Sequence, residues 1–106
     1  MNLKDTPTMQ KRLDEIAVRL REKGLTVEVR VSPQGEEFWH VSDEPEQTMI
    51  TVLIFPDFNG HPSFWIESFA AYAAQYIVPI VTRIGDARDE IFQEHLMASR
   101  LRQLPI

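Results

Sequence analysis

Residues 55–65 read "FPDFNGHPSFW", with Asp57, Asn59, His61 and Ser63 spaced two apart inside a frame of aromatics and prolines. Side chains of these types can hold a cation, relay a proton or activate a hydroxyl, so each chemistry makes a definite demand on the flanking residues. A calcium loop takes Asp57, Asn59 and His61 as its first, third and fifth ligands. It then needs glycine where Pro62 stands and a bidentate glutamate where Ser68 stands. A zinc site needs imidazoles at i,i+4 or H-x-H spacing, and His40, His61 and His95 are far apart in sequence. A serine nucleophile calls for the G-x-S-x-G elbow, which is absent around Ser63, and that hydroxyl reads better as a helix cap. The glycines at 24, 35, 60 and 85 are too scattered for a phosphate loop. These patterns assign no catalytic residue, no metal ligand and no cofactor.

Charge narrows the partner. The chain of 106 residues has a net charge of -5 and no cysteine, which excludes disulfides and thiolate chemistry. Residues 36–82 carry Glu36, Glu37, Asp43, Glu44, Glu46, Asp57 and Glu67 without one lysine or arginine. Phosphate-backbone binding draws its affinity from basic side chains, so this stretch points away from nucleic acid and toward a protein with a basic surface. No signal-peptide pattern opens the sequence and no apolar run suits a membrane span, which makes the cytoplasm the expected location.

The elements that must position these residues follow from periodicity. Pro7 and Gly24 bracket a first helix whose stripe is Met9, Leu13, Ile16 and Leu20. Leu25, Val27, Val29 and Val31 then alternate with polar residues as in a half-buried strand. "SPQG" predicts a three-residue hairpin loop, Pro33 to Gly35, which pairs Val29 with Trp39 and Val27 with Val41 on the buried face. Phe38 and His40 fall on the other face, beside Glu28 and Arg30. After the acidic loop "DEPEQT", "MITVLIF" reads as a central strand. "SFWIESFAAYAAQYIV" reads as a helix with Trp65, Phe69, Tyr72 and Tyr76 on one face, ending near Pro79. Residues 80–84 fit a helical turn or a fourth strand, and Asp86 caps a last helix.

The expected fold is therefore a single α+β domain over 1–106: an N-terminal helix, a three-stranded antiparallel meander and two C-terminal helices packed on the sheet. With 80–84 as a strand, the order αβββαβ resembles small metal-dependent nucleases, whose carboxylate and lysine motif is missing. The order αβββα is similar to that of double-stranded RNA-binding domains and bacterial secretion chaperones. The former need a lysine-rich start to the last helix, which here reads "DARDE".

Seven of the ten aromatics lie within residues 55–76, most of them suited to covering the sheet. Phe38, His40, Phe58, His61 and Phe64, with Asp43, Glu44 and Glu46, are the candidate partner-binding residues, as aromatics beside acids suit a protein interface. The favoured function is a small non-enzymatic adaptor, chaperone or inhibitor of a basic protein. Accessory proteins of phages and mobile elements include such chains, and the same surface could mate with a second copy. The alternative is a small enzyme using Asp57 with His61, or Glu28 with His40, as an acid–base pair.

Overall fold

The computed structural model describes residues 7–43, 48–56, 61–68 and 74–103. In chain order these form α1 (Pro7–Glu22), β1 (Thr26–Val31), β2 (Glu37–Asp43), β3 (Thr48–Pro56), β4 (Pro62–Ser68) and α2 (Ala74–Gln103). The strands pair antiparallel in the order β1-β2-β3-β4. Both helices pack against the sheet, and their apolar stripes share one core with its inner face.

The first half follows its local rules. Met9, Leu13, Ile16 and Leu20 are all buried. The helix ends in a Schellman motif: Leu25 N–H donates to Leu20 O and Gly24 N–H to Arg21 O, both at 3.1 Å. Gly24 takes φ +88°, where a Cβ would be strained. In the hairpin, Gly35 takes φ +84° and donates its N–H to Ser32 O at 2.9 Å. This loop sets the expected register, Val29 opposite Trp39 and Val27 opposite Val41.

The second half corrects the sequence reading. Residues 62–68 are a fourth strand rather than a helix, and Ser63 pairs with Phe55 instead of capping anything. Residues 80–84 are helical, and the two expected C-terminal helices are one helix of 30 residues. Pro79 and Gly85 both lie inside it. Proline removes one backbone donor and glycine lowers propensity by about 1 kcal/mol, local costs that packing overrides. The packing is the stripe Ile80, Ile84, Ala87 and Ile91, at helical spacing straight through Gly85 and buried throughout.

Val29 is a smaller correction. It points to the inner face as expected but is 46% exposed, because the helical layer leaves the far end of β1 uncovered. Trp39 and Val52, cross-strand neighbours, lie at the centre of the core. Phe69, on the aromatic face of the expected helix, is outside the described residues.

Ion pairs tie the helices together. Arg19 reaches Glu90 at 3.0 Å and Glu94 at 2.7 Å, and Lys23 reaches Glu90 at 2.9 Å. Hydrogen bonds from Lys23 and then Arg19 hold the Glu90 carboxyl below the usual glutamate range. Donating to Glu94 and then Glu90 raises the pKa of the Arg19 guanidinium in turn.

Two substitutions check this architecture. A Cβ on Gly85 meets nothing within 4 Å, so Gly85→Ala should stabilise the fold by about 0.5–1 kcal/mol in a thermal melt. A loss of stability would mean that α2 is broken there. Trp39→Ala should cost about 3–5 kcal/mol in a denaturant titration. Trp39→Phe should cost far less, because the buried indole Nε1 has no acceptor among the described residues.

Candidate functional site: the open face of the sheet

Side chains alternate across a strand, so each residue facing the helices has neighbours facing away. With both helices on one side, no described element covers the other face of the sheet. The register places Arg30, Phe38, Leu53 and Trp65 in one cross-strand row, and Glu28, His40, Thr51 and Glu67 in the next. Four strands at about 4.8 Å spacing make each row roughly 14 Å long. Trp65 is 60% exposed, Phe55 stands beside the first row, and Phe38 and Leu53 are half-buried among their neighbours.

Local contacts stiffen this surface without closing it. The Phe38 and His40 rings meet edge to face at 5.5 Å between centroids. Arg30 pairs with the Glu28 carboxylate on the same strand. Because residues 36–82 lack lysine and arginine, Arg30 is the face's basic group, set against Glu28 and Glu67.

The expected site residues are scattered by this arrangement. Phe38 and His40 lie on the open face. Phe64 points inward, its ring 5.4 Å from that of Trp39. Asp43 is no free surface charge: its side chain is 13% exposed and accepts from Arg83 of α2 at 3.3 Å. His61 is 4% exposed rather than on a rim, because β4 starts there beneath α2. Its ring lies 4.8 Å from that of Phe92, and Arg88 Nε donates to the neighbouring Pro62 carbonyl at 2.6 Å. Glu44, Glu46, Asp57 and Phe58 lie outside the described residues.

Of the two acid–base pairs, Glu28 and His40 do sit directly opposite one another. They do so on an open sheet, with the carboxylate already engaged by Arg30. The Asp57 and His61 pair rests on a residue outside the described set. Among the described residues, no three His, Asp or Glu side chains group to hold a metal ion.

Two sets of residues were missed. Trp65 escaped because "PSFWIES" imitates a helical period, and Leu53 and Phe55 because β3 is apolar on both faces. The alternation of β4, Phe64 and Ile66 inward against Ser63, Trp65 and Glu67 outward, was the available signal. The second set surrounds His61: Arg12 of α1 with His95 and Ser99 of α2. Only the packing of α1 on α2 brings these together, and no local pattern announces it.

No family model, curated protein or solved structure matches the chain at a significant level. Among the described residues, no helix is long and apolar enough to cross a membrane.

Proposed function

We propose that the chain is a non-enzymatic interaction module that docks a protein partner on the open face of its sheet. One observation carries this reading: Phe38, Leu53 and Trp65 form a continuous apolar row on three strands that lack lysine and arginine. Large exposed aromatics next to acids suit a partner that offers an apolar patch rimmed by basic groups. An adaptor, a chaperone and an inhibitor of a basic cytoplasmic protein all fit that description.

A flat aromatic sheet can also stack the bases of single-stranded nucleic acid. Charge argues against that use, since Arg30 is paired with Glu28 and Glu67 adds a further negative charge.

The test compares wild-type protein with Trp65→Ala as bait in extract of its native host, then measures the captured partner's kinetics. Trp65→Ala should speed dissociation about tenfold or more while leaving the melting temperature nearly unchanged. Glu67→Lys should mainly slow association at low salt. A concentration-dependent dimer abolished by Trp65→Ala would make the partner a second copy. A partner held equally well by all three proteins, or tight binding of single-stranded oligonucleotides, would contradict the reading.

A further inference from the structure

β1 lies at one edge of the sheet, with β2 as its single neighbouring strand among the described residues. The phase of the ladder with β2 decides which backbone groups its outer side presents. Ser32 N–H donates to Glu36 O at 2.8 Å, continuing the register that sets Arg30 opposite Phe38 and Glu28 opposite His40. Hydrogen-bonded pairs recur at every second residue of an antiparallel ladder. Glu28 and Arg30 therefore bond toward β2, while Val27, Val29 and Val31 turn their N–H and C=O groups to the outer side. Arg21 agrees with this phase, donating to Val27 O at 2.9 Å. Among the described residues, no other bond reaches the outer groups of Val29 and Val31.

Sheets shield such an edge with proline, lysine or a bulge, and β1 has none of these. Val29 and Val31 are 46% and 67% exposed on the inner face. Glu28 and Arg30, two residues apart on the open face, carry opposite charges and pair with one another. The other edge differs. β4 opens on Pro62, whose carbonyl Arg88 holds, and Glu67 is the single charge along it.

We propose that β1 pairs antiparallel with β1 of a second copy, joining two four-stranded sheets about a two-fold axis at Val29. Charge and bonding together select that register. Val27 opposite Val29 would set Glu28 against Glu28 of the second copy, and Val29 opposite Val31 would set Arg30 against Arg30. Centring on Val27 brings in Leu25, whose N–H Leu20 holds, and centring on Val31 brings in Pro33, which has no N–H. Val29 opposite its own copy sets Glu28 against Arg30 on both sides of the axis. These are non-hydrogen-bonded pairs, in which facing side chains approach most closely. On the inner face the same register lays exposed Val31 against buried Val27 of the second copy, and Val29 against Val29. Val27 O can still accept there, because a carbonyl has a second lone pair beside the one that Arg21 takes. The join uses an edge and leaves the open face of both copies free, so it stands apart from the docking reading.

The test is sedimentation equilibrium at low ionic strength over a range of protein concentrations. The expected result is a monomer–dimer equilibrium that Trp65→Ala leaves unchanged. Glu28→Arg sets arginine against arginine, and Arg30→Glu sets glutamate against glutamate. Each should weaken dimerisation about tenfold or more, with the melting temperature of the dilute monomer nearly unchanged. An equal mixture of these two variants should dimerise again, since each then offers the charge that the other lacks. A wild-type protein that stays monomeric at every concentration, a dimer that both charge variants retain, or a mixture that stays monomeric would each overturn the proposal. A dimer lost in Trp65→Ala would also overturn it, by moving the join to the open face.

Discussion

The molecule depends on one packing event, the burial of the α2 stripe Ile80, Ile84, Ala87 and Ile91 against the inner face of the sheet. That burial holds residues 74–103 in one helix despite Pro79 and Gly85. It also fixes what α2 carries. Glu90 and Glu94 reach Arg19 of α1, Arg88 reaches the first carbonyl of β4, and Arg83 reaches Asp43 at the end of β2. One helix therefore secures the first helix and two strands. Full burial of an aliphatic side chain contributes about 1.5–3 kcal/mol, so this stripe outweighs the lost proline hydrogen bond and the glycine penalty together.

The same event decides which surface remains. Two helices supply one layer, enough to cover one face of a four-stranded sheet. Trp39, Val41, Ile50, Val52 and Ile54 are buried beneath them. Their strand neighbours Phe38, Leu53 and Trp65 are carried to the other side by the alternation of the chain. The docking surface is thus a consequence of burying the core on one side only.

The sequence was legible where local chemistry and tertiary packing agree. Gly24 and Gly35 each sit where a positive φ is required, so α1 and the β1–β2 hairpin could be placed with the correct register. Phe38 and His40 followed from that register. Legibility failed where packing overrides a local signal. Pro79 and Gly85 read as punctuation because they usually are, and the spacing of Trp65, Phe69, Tyr72 and Tyr76 imitates a helical face. Trp65 was consequently assigned to the core, although β4 turns it outward. His61 was taken for a rim residue because nothing local shows that α2 lies over it.

The account therefore turns on the two tryptophans, one on each side of the sheet. Acrylamide quenching of fluorescence in the single-tryptophan variants Trp39→Phe and Trp65→Phe, at protein concentrations low enough to keep the chain monomeric, tests this most directly. The account predicts strong quenching and red-shifted emission from Trp65, 60% exposed, and weak quenching with blue-shifted emission from Trp39, 1% exposed. Equal protection of both indoles in the monomer would contradict it. Trp65 would then be covered by part of the chain itself, and the sheet would have no open face on which to dock a partner.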